Sequence, residues 1–163
     1  MSVPEPSMAA DSGLGASGLL AVDHVAIAVR DLDAAIEGYA SAFGARVAHR
    51  EVVASDGVEE ALLAVGESYI QLLTPRDPSS STAKFIERRG EGIHHVGYRV
   101  ASCAAALDAA VASGLVAIDA APRSGSRGTT VAFLHPRTAF GTLIELVEEP
   151  SGAPGDALAR EVS

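Results

Sequence analysis

The sequence has a single cysteine, Cys103, and no uninterrupted apolar run of the roughly 18 residues needed to span a membrane. A lone cysteine forms no internal disulfide, and the small apolar neighbours of Cys103 favour a buried, inert thiol. The chain also lacks a basic start followed by an apolar stretch, so neither export nor membrane insertion is indicated. We therefore expect a cytoplasmic protein with no membrane partner.

Basic residues are scarce, with 12 Lys and Arg against 21 Asp and Glu, for a formal charge of −9. A broad nucleic-acid surface depends on clustered cations, so nucleic acid is not an expected partner. One anionic small molecule remains compatible with this composition, because local cations can hold a few phosphates. Two such groups are Lys84, Arg88 and Arg89, and the pair Arg123 and Arg127.

The chain of 163 residues is 48% hydrophobic, which fits one domain with a real core. Residues 1–18 are rich in Ser, Gly, Pro and Ala without periodicity, and we predict a disordered tail there. The predicted domain covers 19–150, and 151–163 form a C-terminal tail.

Two similar halves follow one another within this domain. In the first, a β-branched run at 22–29 precedes a helix with Asp31 as its N-cap and Gly44 as its end, and strands are predicted at about 46–54, 58–65 and 68–74. In the second, the strand 93–100 precedes a helix capped by Ser102 and ending before Gly114. A short helix near 82–89 joins the halves.

Landmarks in the two halves coincide at nearly constant spacing. His24 aligns with His95 at an offset of 95 − 24 = 71, and Gln71 aligns with Glu145 at an offset of 145 − 71 = 74. A single βαβββ unit leaves one sheet face exposed, so two copies should pack together. We predict an α+β fold in which two βαβββ modules, about 21–76 and 92–149, form one cupped mixed sheet by pseudo-two-fold repeat, with helices outside.

Strand alternation places four polar side chains in the cup. His24 lies out of phase with the apolar residues Val25 and Ile27, and the same parity turns three more polar side chains away from the helices. These are Gln71, His95 and Glu145. Two imidazoles, an amide oxygen and a carboxylate suit a divalent transition metal, namely Co²⁺, Mn²⁺, Ni²⁺, Zn²⁺ or Fe²⁺.

The sequence has three further histidines outside this set. His94 precedes His95, and because neighbours on a strand point in opposite directions, we expect His95 in the cup and His94 on the helix side. His49 and His135 have no counterpart in the other half. A surface or structural role is favoured for both.

These residues, together with several longer segments, resemble the methylmalonyl-CoA epimerases of the vicinal-oxygen-chelate superfamily over about 19–150. The segments are LxxxDHVAIAV, FGARVAHREVV, TAKF, GIHHVGYRV and VAFLHPRTAFGTLIEL. The resemblance implies the metal ligands His24, Gln71, His95 and Glu145, with Co²⁺ favoured. It also implies a homodimer that binds an acyl-CoA.

The activity implied by this resemblance is interconversion of (2R)- and (2S)-methylmalonyl-CoA by metal-assisted proton transfer through an enolate. The family pattern places a catalytic carboxylate at Glu60 within GVEEALL, and Glu145 is the other candidate for proton transfer. Parity separates Glu60 from its neighbour Glu59 but does not say which one faces inward.

For the CoA portion, the N-terminus of the 82–89 helix with Lys84, and Arg127 in the loop 124–128, are candidate phosphate contacts. The linker DPSSSTAKF departs from the family pattern, in which an acidic residue and a proline often precede AKF. Alternative functions are a glyoxalase-type lyase, another metal-dependent enzyme of the superfamily, or a non-catalytic small-molecule binding protein.

Overall fold

The computed structural model describes residues 18–152. The predicted tails therefore lie outside the described residues, apart from Gly18, Ser151 and Gly152. The elements are β1 (Leu19–Ala28), α1 (Leu32–Phe43), β2 (Val47–Val53), β3 (Val58–Val65), β4 (Ser68–Pro75), α2 (Ser81–Arg89), β5 (Gly92–Val100), α3 (Cys103–Ala112), β6 (Arg123–Ser124), β7 (Thr130–Leu134) and β8 (Ile144–Glu148). Among these residues no helix has the length and apolarity to cross a membrane.

The helix boundaries follow from capping side chains. The Asp31 carboxylate accepts a hydrogen bond from the Ala34 N–H at 3.0 Å, and Ser102 caps α3 in the same way through Ala105. Gly44 ends α1 with φ of 64°, a left-handed conformation that glycine adopts without a steric penalty. Both predicted N-caps are thus confirmed.

All eight strands form one mixed sheet in the order β2-β3-β4-β1-β5-β8-β7-β6. The central strands β1 and β5 are antiparallel and join the two halves. Each pairs in parallel with the last strand of its own half, with Ala26 opposite Gln71 and Gly97 opposite Glu145. The predicted repeat is confirmed, although β6 is reduced to two residues.

Two apolar clusters lie between the sheet and its helices. Under α1 the cluster includes Leu32, Leu63 and Leu72, and under α3 it includes Val100, Leu107 and Leu146. Cys103 belongs to the second cluster and is fully buried, and this burial raises the pKa of its thiol to about 11. The predicted inert thiol agrees with this position.

The opposite face of the curved sheet encloses a cavity of about 440 Å³ lined by both halves. Ile70 and Leu72 pack on the α1 side and Ile144 and Leu146 on the α3 side, as parity predicted. Gln71 and Glu145 line the cavity instead. The α+β cup of two modules is therefore the observed architecture.

Candidate metal centre and active site

Three side chains from both halves converge at the floor of the cavity. The Nε2 atoms of His24 and His95 lie 3.0 Å apart, and Glu145 Oε2 lies 2.9 Å from the first and 3.0 Å from the second. Each residue is at most 8% exposed. The structure thus brings together three of the four residues that parity selected.

Gln71, the fourth of these residues, borders the same cavity. Its Nε2 donates to Glu60 Oε2 at 2.6 Å, whereas its Oε1 is buried and has no hydrogen-bond partner among the described residues. Buried acceptors are nearly always satisfied, so an unpartnered amide oxygen beside a histidine and carboxylate cluster indicates a missing donor or cation.

The geometry of the cluster fits a divalent metal ion. With ligand bonds of roughly 2.1 Å, two donors at a right angle lie roughly 3.0 Å apart, which is the separation of the three atoms here. Nitrogen and oxygen donors of this mixture suit transition metals. The residues present therefore fit the group, with Gln71 Oε1 as an available fourth donor.

The space for His24 depends on the residue opposite it. Gly97 on β5 pairs with His24 on β1, and a Cβ at position 97 would overlap the imidazole ring. His95 pairs in the equivalent way with Ala26, which is fully buried. Small residues opposite the two imidazoles therefore leave room for both rings.

Pairing between β1 and β5 shifts register beside both histidines. Val22 and His24 pair with Tyr98 and Gly97, so Asp23 is the extra residue on β1. Ala26 and Ile27 pair with His95 and Ile93, so His94 is the extra residue on β5. Such bulges re-aim side chains, and here they act on the residue that precedes each histidine.

Both preceding residues contact the ring nitrogen that faces away from the cluster. Asp23 Oδ2 lies 2.7 Å from His24 Nδ1, and His94 Nδ1 lies 2.8 Å from His95 Nδ1. A hydrogen bond at Nδ1 fixes the tautomer and leaves Nε2 free to act as a ligand. Sequence reasoning did not identify Asp23, although its place one residue before His24, matching His94 before His95, was a usable signal.

His94 also corrects the simple alternation argument. His95, and not His94, belongs to the cluster, as predicted. However, His94 lines the cavity as well, with its ring against Phe85 of α2. The expectation that it faces the helix side is wrong, because the bulge breaks the alternation at this residue.

Burial and neighbouring charges strongly shift the pKa values of His24 and Glu145 in the cluster. Burial by itself lowers the pKa of His24, but hydrogen bonds to Asp23 and Glu145 outweigh this and raise it to about 9. Burial likewise opposes ionisation of Glu145, yet its bonds to the two histidines hold its pKa well below the usual range. Without a metal, a proton on His24 therefore balances the carboxylates.

The structure separates the two rival glutamates. Glu60 is 3% exposed and lines the cavity, and burial raises the pKa of its carboxyl group. Glu59 lies on the other face, where it accepts hydrogen bonds from Arg50 and Arg76. Only Glu60 is therefore placed to exchange a proton with a molecule in the cavity.

The two predicted CoA contacts lie in different settings. Arg127 borders the cavity, but its guanidinium bonds Asp23 at 3.0 Å and Glu149 at 3.1 Å. Lys84 is exposed on α2 and is not among the cavity-lining residues, whereas the start of that helix, at Ser80 and Ser81, is. Arg127 therefore holds Asp23, the residue that contacts His24, and its charge is already paired.

The two remaining histidines, His135 and His49, do not line the cavity. His135 accepts a hydrogen bond from the Arg137 backbone in a loop, in keeping with the structural role expected of it. His49 on β2 contacts Glu51 at 2.8 Å and forms a second polar cluster with Glu60. That second cluster was not anticipated from the sequence.

The sequence and the fold are both similar to those of known acyl-CoA epimerases. The chain is 36% identical over 127 residues to the ethylmalonyl-CoA/methylmalonyl-CoA epimerase of Cereibacter sphaeroides, covering 77% of this chain and 95% of that protein. It is 40% identical to the methylmalonyl-CoA epimerase structure from Mycobacterium tuberculosis, with a TM-score of 0.78, covering 86% of this chain and 93% of that one.

A third comparison concerns a methylmalonyl-CoA epimerase solved with methylmalonyl-CoA and NH₄⁺. It has a TM-score of 0.80 and 37% identity, and covers 82% of this chain and 97% of that one. The pattern of the Glyoxalase/Bleomycin resistance protein/Dioxygenase superfamily matches residues 23–133, which include His24, Gln71 and His95. The chain belongs to this superfamily.

Proposed function

We propose that this protein is a methylmalonyl-CoA epimerase, an isomerase that interconverts the (2R) and (2S) forms of its acyl-CoA substrate. The observation that carries the proposal is a buried, unligated carboxylate, Glu60, held beside the converging donors His24, His95 and Glu145 in one cavity. The similarity to epimerases at 36–40% identity supports the same reaction.

His24, Gln71, His95 and Glu145 would hold a divalent metal ion, for which we favour Co²⁺. When bound, this ion supplies a positive charge that offsets the negative charge developing on the substrate oxygens. The unpartnered Gln71 Oε1 and the 2.9–3.0 Å spacing of the other three donors support this assignment.

Glu60 is the proposed base for the hydrogen between the thioester and carboxylate groups. Its burial raises the pKa of the carboxyl group above its usual range, which suits a group that must both accept and return a proton. Gln71 Nε2 fixes one of its oxygens, so the other, Oε1, is left to face the substrate. The resulting enolate receives a proton on its opposite face.

Glu145 is the second candidate for proton transfer. Its carboxylate lies against His24 and His95, which hold its pKa low, and a metal ion would weaken it further as a base. We therefore assign Glu145 chiefly to holding the metal ion. A water molecule could serve as the second acid.

The CoA portion is proposed to run past the start of α2. Two backbone features support this, since Ser80 and Ser81 border the cavity and a helix N-terminus attracts phosphate. Lys84 lies one turn further along the helix and would add a positive charge. Cytoplasmic location and a homodimer stay predictions from the sequence and the resemblance.

Proton exchange in D₂O tests the proposed activity. One pure epimer of methylmalonyl-CoA, incubated with metal-loaded protein, should gain deuterium at C2 and racemise. The absence of both changes would contradict the proposal. The hemithioacetal of methylglyoxal and a catechol with O₂ serve as comparison substrates, since turnover of either would assign the cavity to another reaction of the superfamily.

A further inference from the structure

Three side chains on β2 and β3 form a second polar cluster on the cavity side of the sheet. Glu51 and Glu60 lie directly opposite each other on these antiparallel strands, and His49 shares the face of Glu51 because it is two residues away. One side-chain N or O atom of each residue lies within 4.8 Å of the other two. The cluster therefore connects the proposed base to β2, the outermost strand of the sheet.

Glu51 and His49 are both far more exposed than Glu60. Glu60 is 3% exposed, whereas the side chains of Glu51 and His49 are 38% and 35% exposed. Glu51 Oε2 is held by His49 Nε2 at 2.8 Å and by the backbone N–H of Arg127 at 3.1 Å. The gap from Glu51 to Glu60 is short enough for direct contact or for one bridging water.

An epimerase must restore its protonation state after every turnover. Each conversion in one direction leaves a proton on the base and removes one from the acid on the opposite face. Glu60 is only 3% exposed, so its own contact with bulk water is small and a relay through more exposed side chains would speed its proton exchange. Its other polar neighbours, the Gln71 amide and the Ser126 hydroxyl, do not act as acids or bases near neutral pH.

We propose that Glu51 and His49 form a proton path between Glu60 and solvent, an inference that rests on the epimerase function proposed above. The proton taken from the substrate passes from Glu60 to Glu51 and then to His49 Nε2, and the imidazole releases one proton to water from Nδ1. Exchange of the ring protons with water then restores the original tautomer of His49. The acid on the opposite face regains a proton from solvent, so the protein returns to its starting state with no net gain of protons.

The path is tested with His49→Ala and His49→Gln in metal-loaded protein. Glutamine keeps a hydrogen bond to Glu51 but carries no proton at neutral pH, so both variants should lower kcat at least about tenfold while KM changes little. Added imidazole should restore kcat in His49→Ala, because a soluble base can replace the missing ring. Wild-type kcat should not respond to imidazole.

His135→Ala is the matched control, since His135 is a half-buried histidine in a loop outside the cavity. Its kcat should equal that of the wild type, with or without imidazole. Unchanged kcat in both His49 variants, or a loss that imidazole does not recover, would overturn the path while leaving the epimerase function standing. A wild type that neither epimerises nor exchanges deuterium would overturn both.

Discussion

At the scale of single residues, the candidate metal centre depends on the residue before each of its two histidines and on the residue opposite each of them. Asp23 and His94 occupy equivalent bulges and contact the Nδ1 atoms of His24 and His95. Gly97 supplies the space for the first imidazole. Asp23 and Gly97 each lead to a prediction in which the proposed metal ligands are unchanged.

Replacing Asp23 with Ala should weaken metal binding about 10- to 100-fold, because His24 loses the acceptor that fixes its tautomer. The affinity can be measured by competition with a chelator, and the Co²⁺ absorption spectrum reports the ligand set. Asp33→Ala is the control, since Asp33 pairs with Arg50 on the surface. Equal metal affinity in the two variants would remove Asp23 from the positioning role.

Gly97→Ala should displace the His24 ring and abolish tight metal binding, with a loss of about 1–3 kcal/mol in the free energy of unfolding. Gly38→Ala provides the contrast, because no atom lies within 4 Å of the added methyl group and the site is in the middle of α1. That change should instead stabilise the protein by up to about 1 kcal/mol. Chemical denaturation of both metal-free variants measures the difference.

Glu60→Gln should lower kcat about 10²- to 10⁴-fold while metal affinity stays close to that of the wild type, since we assign Glu60 as the base and not as a ligand. Glu59→Gln, on the opposite face of the same strand, should leave kcat unchanged. Equal turnover by Glu60→Gln and the wild type would remove Glu60 from catalysis. Loss of the metal in Glu60→Gln would instead reassign it as a ligand.

At the scale of helices and strands, side-chain parity predicted much of the site. Alternation put Gln71 and Glu145 in the cup and Leu72 and Leu146 against the helices, because β4 and β8 are regular next to β1 and β5. It failed at His94 and did not reveal Asp23, because a bulge depends on the pairing of two distant strands. The sequence of one strand does not show how that strand pairs with a distant one.

Arg127 in the 124–128 loop was predicted to contact CoA, but the structure indicates that it holds neighbouring carboxylates in place. Arg127 adopts φ of 55° and reaches Asp23, Glu149 and the ring of Tyr69. The sequence shows a cation in a Gly- and Ser-rich loop but not the carboxylates that neutralise it in the fold.

Arg127→Ala should therefore lower metal affinity and kcat together, with little specific change in KM for the acyl-CoA. Lys84→Ala, which removes an exposed charge beside the start of α2, should raise KM with kcat nearly unchanged. Chelator competition measures the metal affinity, and steady-state kinetics at a fixed, subsaturating metal concentration separates the two patterns. A rise in KM alone for Arg127→Ala would restore its predicted role as a phosphate contact.

At the scale of the whole molecule, the cluster joins the two halves of the domain. His24 and Gln71 come from the first half and His95 and Glu145 from the second, across the antiparallel β1–β5 pair. A bound metal ion would link both halves, so its binding free energy adds to the stability of the fold. Removing the metal with a chelator should lower the melting temperature.

The change in melting temperature on metal binding should depend on pH, and the protonation of His24 sets the direction of that dependence. Its pKa in the metal-free protein is raised from 6.5 to about 9, so the protonated ring stabilises the metal-free fold below about pH 6.5. This contribution is lost as pH rises through about 9. Metal binding requires the deprotonated ring, so a proton must leave at lower pH and the metal affinity is weaker there.

We therefore expect the difference in melting temperature between metal-loaded and metal-free protein to grow steadily from pH 6.5 to pH 9. Calorimetry in two buffers of different ionisation enthalpy should also detect about one proton released per metal ion at pH 7.5, because His24 is then mostly protonated without metal. A pH-independent shift with no proton release would show that His24 does not hold this proton. The bonds from Asp23 and Glu145 would then not govern the ring's charge.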